Sequence, residues 1–296
     1  MIIIGAGRSG TNMLRDLLCR LPQFVTWPCD EINYIWRHSN RDYATDQFTR
    51  EMVDAKTAKF IQQRFSDLEK STEDASIPER TIVEKTCANT LRCGFIHEIF
   101  PSALFIHIIR DGRDVASSAA LRWNAKLDLN YLMKKARFVP KSDLPFYAWR
   151  YLKSRIYKIT SGKSRLSTWG PKFDGMEFAF TNHSLVAGCA IQWRECVSSA
   201  RTQLAQIDSQ QVLTLRYEDF TARPASELRS ICEFLGNQAS DETLAELVKS
   251  VSNKSVGKWQ SQLSSEEIEE INEVAGPLLA ELGYKDHPSS MDCSTL

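Results

Sequence analysis

A short glycine-rich segment near the start of the chain has the residue types of an anion-binding turn. Residues 5–12 are Gly-Ala-Gly-Arg-Ser-Gly-Thr-Asn, directly after the apolar run 2–4 and directly before apolar residues at helical spacing. At such a junction of strand, turn and helix, backbone N–H groups and the positive end of the helix dipole converge on a bound anion. The residues predicted to bind it are Gly7, Arg8, Ser9, Gly10, Thr11 and Asn12.

Three kinds of ligand compete for this turn. The glycine spacing matches the dinucleotide pattern of an NAD(P)-dependent oxidoreductase, but Asp30 and Glu31 lie somewhat farther on than the usual ribose-binding carboxylate. The two outer glycines match a Walker A loop, yet Thr11 and Asn12 stand where a nucleotide-dependent kinase needs its lysine and hydroxyl. The third interpretation uses Arg8, inside the loop, as the cation for a terminal anionic group that is held without a metal.

A second candidate anion site follows another predicted strand. Residues 108–118 are Ile-Ile-Arg-Asp-Gly-Arg-Asp-Val-Ala-Ser-Ser, and Arg110 at the strand end lies eight residues before Ser118. Arg122 follows one further helical turn on. Taken alone, this stretch also fits a solvated turn. In combination with the first loop, this stretch favours a second binding site for a phosphate group.

Together, the two motifs resemble those of the sulfotransferases that use 3′-phosphoadenylyl sulfate (PAPS). Gly7–Thr11 is similar to the family's 5′-phosphosulfate loop, in the Arg-Ser-Gly-Thr form of tyrosylprotein, Golgi carbohydrate and several bacterial members. The stretch from Arg110 to Ser118 is similar to its 3′-phosphate motif, to which Arg122 can add. The resemblance implies a P-loop-like sulfotransferase fold, PAPS as co-substrate, its 3′,5′-bisphosphate product PAP, and no metal.

Weaker family features extend the resemblance toward the end of the chain. Tyr217, in Leu-Arg-Tyr-Glu-Asp-Phe, resembles the family's Tyr-Glu-Asp segment, although a core-facing tyrosine is the alternative. Ser255 and Lys258, in Ser-Val-Gly-Lys-Trp, precede a last predicted helix. We predict that Ser255 and Lys258 lie on a flexible segment that closes over the phosphates of the nucleotide.

The resemblance also implies catalytic roles. Lys85 resembles the family's catalytic lysine, and Arg8 would be the second cation at the leaving phosphate oxygen. Cys87 stands where cytosolic aryl and steroid members carry a histidine base. In tyrosylprotein and some bacterial glycolipid members the base is a glutamate in an acidic pair, which predicts Glu31 here. Glu84 is the alternative, since some heparan members place their base before the lysine.

The elements that must position these residues alternate between strand and helix. Alternation of this kind predicts a three-layer α/β/α fold with a central parallel sheet. The family resemblance implies that residues 1–296 form one sulfotransferase domain. Strands are predicted at 2–4, 81–84, 103–109 and 212–215. Helices are predicted at 13–21, 91–100, 111–122 and 227–235, and near 46–69, 186–206, 241–250 and 265–282.

One stretch departs from the overall charge balance. Between positions 122 and 172 there are thirteen Lys or Arg residues and two acids, with nine aromatic residues among them. We predict that residues 122–185, called the basic segment below, form an insertion that walls the acceptor side of the site. The acceptor would then be a hydroxylated molecule, such as an anionic carbohydrate or a glycolipid. The alternatives are a solvated basic face, or a module that binds nucleic acid or a membrane surface.

Composition bounds these interpretations. The chain has 296 residues, 43% hydrophobic and 25% charged, with 37 basic and 37 acidic side chains. These values indicate a globular protein and disfavour nucleic-acid binding as the main activity. Eight cysteines without a Cys-x-x-Cys pair disfavour a zinc site and predict reduced thiols in a cytoplasmic protein. We expect no transmembrane segment and no export signal, with peripheral membrane contact left open; the oligomeric state is not predicted.

Overall fold

In a computed structural model that describes residues 1–72, 77, 80–123, 137–149 and 169–284, a four-stranded parallel sheet lies at the centre. Its strand order is β4-β1-β5-β6. Two further strands, β2 and β3, form a separate parallel pair. The bounds are β1 (Ile2–Ile4), β2 (Phe24–Val25), β3 (Thr81–Ile82), β4 (Glu84–Lys85), β5 (Phe105–Ile109) and β6 (Val212–Arg216).

The sheet is covered on both faces, as its fully buried inner strands require. Side chains alternate along β1: Ile2 packs in one buried cluster with Phe105, whereas Ile3 packs in another with Ile106 and Leu14. A strand whose two faces enter two different cores must lie between two helical layers. The predicted three-layer α/β/α fold with a central parallel sheet is confirmed.

The single strand predicted at 81–84 is wrong. The chain changes partner at Val83, whose N–H donates to the carbonyl of Val25 at 2.7 Å. The next N–H, that of Glu84, donates to the carbonyl of Met1 at 3.1 Å and joins the central sheet. This exchange depends on strands that lie far apart in the sequence, so local pattern does not reveal it.

Among the described residues, four short helices were not predicted, and each predicted helix is present with bounds within a few residues of the prediction, except near 46–69. There the helix begins only at Ala55, because Asp54 caps it by accepting a hydrogen bond from the N–H of Thr57 at 2.6 Å. The bounds are α1 (Thr11–Leu18), α2 (Asn33–Trp36), α3 (Ala55–Ser71), α4 (Cys93–Ile99), α5 (Gly112–Trp123), α6 (Met176–Asn182), α7 (Leu185–Leu204), α8 (Tyr217–Ala222), α9 (Pro224–Phe234), α10 (Asp241–Val248), α11 (Trp259–Gln262) and α12 (Ser265–Glu281).

Only parts of the basic segment fall within the described residues: 122–123, 137–149 and 169–185. The single-domain prediction for 1–296 stays a prediction. Among the described residues, no helix is both long and apolar enough to cross a membrane.

Candidate functional site

The predicted anion-binding turn lies between β1 and α1, with the backbone shape that such a turn needs. Gly10 has φ 90°, and Arg8 also has a positive φ, 74°. A Cβ atom at Gly10 would lie 2.5 Å from the ring of Tyr217, so this position excludes a side chain both by conformation and by space. The N–H of Ser9 donates to the carbonyl of Ala6 at 3.1 Å, which closes the turn. The segment is therefore a tight turn that leads directly into a helix.

The two predicted anion motifs meet at Arg8. The Nε atom of Arg8 donates to the Oγ atom of Ser118 at 2.9 Å, and Nη1 of Arg110 donates to the carbonyl of Arg8 at 3.0 Å. Partial burial and the nearby charges of Arg122 and Arg110 lower the pKa of the Arg8 guanidinium. Three positive charges this close together form a site that a bound anion would stabilise.

Arg110 is buried at the end of β5 and is held by several partners. Its guanidinium lies over the ring of Tyr217, 4.5 Å from the ring centroid, and donates to the carbonyl of Ser255. The hydroxyl groups of Tyr217 and Ser255 are 2.7 Å apart. Among the described residues, Nε of Arg110 and Oγ of Ser9 are buried without a hydrogen-bond partner. Such atoms are available to a ligand that enters the site.

Lys85 and Glu31 form the second half of the site. Nζ of Lys85 lies 3.2 Å from Oε1 of Glu31, and the backbone N–H of Cys87 donates to the same oxygen at 3.3 Å. The side chain of Lys85 is 2% exposed, whereas that of Glu31 is 25% exposed. Burial opposes the charge on Lys85, but Cys87 and Glu31 outweigh it, so the pKa of Lys85 is raised. Glu31 is thus a carboxylate that solvent reaches beside a buried ammonium.

Glu84, the alternative base, has different surroundings. Its Oε1 accepts hydrogen bonds from Nε1 of Trp36 at 3.2 Å and from Thr86 at 2.6 Å, and its Oε2 accepts one from Asn89 at 2.6 Å. Complete burial raises the pKa of this carboxyl group. Since neighbouring strand residues face opposite sides, Glu84 faces away from Lys85. Of the two glutamates, Glu31 is partly open to solvent, whereas Glu84 is enclosed by its hydrogen-bond partners.

Two further residues, not singled out from the sequence, position Glu31. The hydroxyl of Thr86 accepts a hydrogen bond from the N–H of Ile32 at 3.2 Å, which ties the end of β4 to the residue after Glu31. On the other side, Arg15 from α1 donates to the carbonyl of Asp30 at 3.1 Å. These hydrogen bonds therefore hold the acidic pair, Asp30 and Glu31, between α1 and the strand that carries Lys85.

The remaining predicted residues lie around the site with fewer contacts. Asn12 and Lys258 are exposed, and neither side chain forms a hydrogen bond or ion pair with another part of the described chain. Arg122 is exposed near the end of α5. A hypothetical Cβ at Gly7 would lie 3.3 Å from the ring of Trp169, so the basic segment reaches the anion-binding turn. Nothing in the sequence distinguished Trp169 from the other aromatic residues of the segment as one that contacts the turn.

Comparison with known proteins defines the class to which this fold and site belong. The profile described as "Sulfotransferase family" matches residues 1–138 and 157–241, which is well over half of the chain. The chain belongs to the sulfotransferase family. Within the described residues, no cluster of three or more His, Cys, Asp or Glu side chains is arranged to hold a metal ion.

One curated relative is the nodulation protein NoeE of Sinorhizobium fredii (strain NBRC 101917 / NGR234), which is 21% identical over 310 residues. The alignment covers 96% of this chain and 65% of NoeE, so the chain spans about two thirds of that relative's length.

Solved structures share the fold at low identity. The sulfotransferase domain of the curacin biosynthetic pathway gives a TM-score of 0.55 at 13% identity, covering 96% of this chain and 97% of that one. The sulfotransferase domain of the Synechococcus PCC 7002 olefin synthase gives 0.56 at 15%, covering 97% and 94%. Mouse sulfotransferase SULT7A1, solved in complex with PAP, gives 0.50 at 15%, covering 95% and 85%.

Proposed function

We propose that this sulfotransferase takes the sulfuryl group from PAPS and transfers it to a hydroxyl or amine group of an acceptor. The observation that carries the proposal is the convergence of two anion motifs beside an ammonium–carboxylate pair. Arg110 contacts the backbone of Arg8, and Arg8 contacts Ser118. PAPS carries separate anionic groups at its 3′ and 5′ positions, which matches two adjacent cationic sites. The PAP complex of mouse SULT7A1, which shares the fold, supports this donor.

Each end of the nucleotide has its own set of residues. The turn from Gly7 to Asn12 would hold the 5′-phosphosulfate through backbone N–H groups and Arg8, at the start of α1. The residues proposed for the 3′-phosphate side are Arg110, Ser118, Arg122, Tyr217, Ser255 and Lys258. The unpartnered Nε of Arg110, among the described residues, supports this assignment.

The reaction needs a base and a cation for the leaving group. The acceptor oxygen or nitrogen attacks sulfur, the bond from sulfur to the bridging oxygen breaks, and PAP leaves with that oxygen and its electron pair. Glu31 takes the acceptor proton, while Lys85 and Arg8 stabilise the negative charge on the departing oxygen. Lys85 lies 3.2 Å from Glu31, so an ammonium group stands directly beside the proposed base.

The basic segment supplies the acceptor-side wall. In its described stretch 137–149, the fully buried carboxylate of Asp143 lies 2.7 Å from Nδ1 of His38 and 2.8 Å from Nη1 of Arg41. Tyr147, from the same stretch, packs edge-on against Tyr34 with 4.7 Å between ring centroids. Tyr34 lies only three residues after the proposed base, which supports a position of this part of the segment near the reacting groups.

The chemistry of that wall favours an acceptor with a ring. Aromatic faces stack on sugars or other rings, and the basic residues attract acidic groups. We therefore propose an anionic carbohydrate or a glycolipid as acceptor. Six of the described cysteines, Cys19, Cys87, Cys93, Cys189, Cys196 and Cys232, are free thiols, which supports a reducing, cytoplasmic location.

Ligand-induced stabilisation tests the donor directly. PAP should raise the melting temperature of this protein strongly, whereas NAD, and ATP with magnesium, should not. Stabilisation by NAD or by ATP with magnesium instead would favour the oxidoreductase or kinase alternative. Stabilisation by oligonucleotides alone would favour a nucleic-acid-binding module. A screen of hydroxylated glycans and glycolipids with sulfur-labelled PAPS then identifies the acceptor.

A further inference from the structure

Asp114 connects the proposed 3′-phosphate motif to the chain segment that carries Ser255 and Lys258. Its side chain, on α5, is only 1% exposed. Oδ2 accepts a hydrogen bond from the backbone N–H of Gly257 at 2.8 Å, and Oδ1 accepts one from the N–H of Trp259 at 3.0 Å. One buried carboxylate therefore uses both oxygens to hold a single turn of the backbone.

Other contacts dock the same segment along α5. Oγ of Ser117 donates to the side-chain carbonyl of Gln262 at 2.7 Å. The guanidinium of Arg113 lies 4.1 Å from the ring centroid of Trp259. At the opposite end, Arg110 donates to the carbonyl of Ser255. Residues 255–262, called the clamp segment below, thus lie against the helix that begins at the 3′-phosphate motif.

The negative charge of Asp114 lies close to the proposed phosphate site, so two possible roles of this residue predict opposite effects on nucleotide binding. Its carboxylate lies 3.5 Å from Nη2 of Arg110, the arginine proposed to bind the 3′-phosphate. A negative charge at that distance repels a phosphate and competes with it for the guanidinium of Arg110. If Asp114 acted only through its charge, removing that charge would strengthen the binding of an anionic nucleotide. If Asp114 instead holds the clamp segment in place, removing its charge should weaken the binding of the nucleotide.

We propose that Asp114 is a positioning residue that fastens the clamp segment over the 3′-phosphate of the bound nucleotide. Through the N–H groups of Gly257 and Trp259 it fixes the turn that carries Ser255 and Lys258. The gain from ordering these groups before the ligand arrives exceeds the cost of a nearby negative charge. The inference rests on the proposed function, since it names a residue that organises the same nucleotide site.

The sign of a change in PAP affinity tests the proposal. Asp114→Asn keeps the size of the side chain, but its amide group places an N–H donor against one of the two backbone donors. We expect the Kd for PAP, measured by titration calorimetry, to rise about tenfold or more. The Kd for adenosine 5′-monophosphate, which lacks the 3′-phosphate, should change less than about twofold. PAP binding that is unchanged or tighter in Asp114→Asn overturns the proposal.

A matched control separates positioning from a general loss of buried charge. Asp46 is also a buried carboxylate, but its oxygens contact Arg37, at 2.6 Å, and the backbone N–H of Lys172, at 2.8 Å, rather than the clamp segment. Asp46→Asn should alter the Kd for PAP far less than Asp114→Asn does. Equal losses in the two variants, or equal losses for PAP and adenosine 5′-monophosphate, would mean that Asp114 is merely structural.

A second variant keeps the test decisive if Asp114→Asn fails to fold. Gly257 has φ 71°, and a Cβ atom there would meet no atom within 4 Å. Gly257→Ala therefore strains the clamp turn without touching the core, and should raise the Kd for PAP about fivefold. Unchanged discrimination between PAP and adenosine 5′-monophosphate in this variant counts against the inference. Absence of PAP binding by the wild-type protein would instead reject the proposed function.

Discussion

Glu31 and Glu84 both lie close to Lys85, but their surroundings suit them to different roles. Glu84 accepts three hydrogen bonds from Trp36, Thr86 and Asn89, in the interior. Glu31 shares one oxygen between Lys85 and a backbone N–H and remains partly open to solvent. A base must reach the proton of an acceptor that diffuses in, so accessibility favours Glu31. Glu84 instead organises the buried groups beneath it.

Glu31→Gln preserves shape but removes the base. Turnover should fall by about two to four decades, while the Kd for PAP stays within about threefold of the wild-type value. Single-turnover transfer from labelled PAPS measures the first quantity and calorimetry the second. If Glu31→Gln keeps its activity while a folded Glu84→Gln is inactive, the base is Glu84.

The arginines of the two anion motifs provide a second test at this scale. Arg8→Ala and Arg110→Ala should each weaken PAP binding by about 1.5 to 3 kcal/mol, the range for loss of a charge-assisted contact. Arg223→Ala is a suitable control, because that arginine is largely exposed and pairs with Glu227 on α9. PAP affinity that is unchanged in both Arg8→Ala and Arg110→Ala would end the assignment of PAPS.

At the scale of elements, the basic segment returns to the site at separate described points. Trp169 reaches the anion-binding turn, and the carbonyl of Trp169 accepts a hydrogen bond from the buried Gln192 at 3.0 Å. Tyr147 packs against Tyr34 near the proposed base. Contacts at both the phosphate end and the base end suit a wall that spans the space where an acceptor would lie.

Tyr34→Ala and Tyr147→Ala test that wall. Each removes one ring of an edge-on pair, so KM for a sugar acceptor should rise about threefold to tenfold while PAP affinity stays constant. Tyr43→Ala is the matched control, since Tyr43 is 47% exposed and packs against Phe48. Unaltered acceptor kinetics in both wall variants would remove this stretch from the acceptor site.

The charge of the basic segment makes a separate prediction. If the acceptor is anionic, its KM should rise with ionic strength, because screening shortens to about 8 Å at physiological salt. The charge-reversal pairs Lys134→Glu with Lys135→Glu, and Arg150→Glu with Lys153→Glu, should raise the same KM; these four positions lie outside the described residues. Steady-state kinetics over a salt series measures the effect. If the acceptor KM responds neither to salt nor to charge reversal, the basic segment is only a solvated surface.

At the scale of the whole molecule, one buried histidine of the central sheet makes the free energy of unfolding depend on pH. His107 lies in β5 at 1% exposure, and burial lowers the pKa of its imidazole to about 4 from an ordinary 6.5. The unfolded chain therefore takes up a proton near pH 6.5, whereas the folded protein resists until about pH 4. Stability that is present above pH 6.5 is lost as the pH falls through this window, by about 3 kcal/mol.

Urea unfolding at pH 7, 5.5 and 4 checks this contribution. His107→Gln removes the titrating group, so the free energy of unfolding should fall less steeply with acid than in the wild-type protein. The raised pKa of Glu84 acts in the opposite direction, but it is common to both proteins and cancels in the comparison. His183→Gln, at an exposed position, should follow the wild-type slope. Parallel slopes for His107→Gln and wild type would contradict the assignment.

The sequence by itself determined the class of fold and the anion motifs, because both are local. An apolar run, a glycine turn and helical spacing lie within about twenty residues, and Arg110 and Ser118 lie within one strand–helix junction. The family resemblance carried by these motifs then supplied the proposed roles of Lys85 and Glu31. Each of these inferences needed only neighbouring residues or a known motif.

Only the tertiary structure decided how distant segments meet. The exchange of strand partners at Val83 joins residues more than fifty positions apart, and Asp114 binds a turn more than 140 residues later. The contrast between Glu31 and Glu84 likewise arises from burial and from hydrogen bonds to residues on other elements. Burial and long-range pairing are properties of the packed chain, because the energies that set them depend on which groups exclude water from one another.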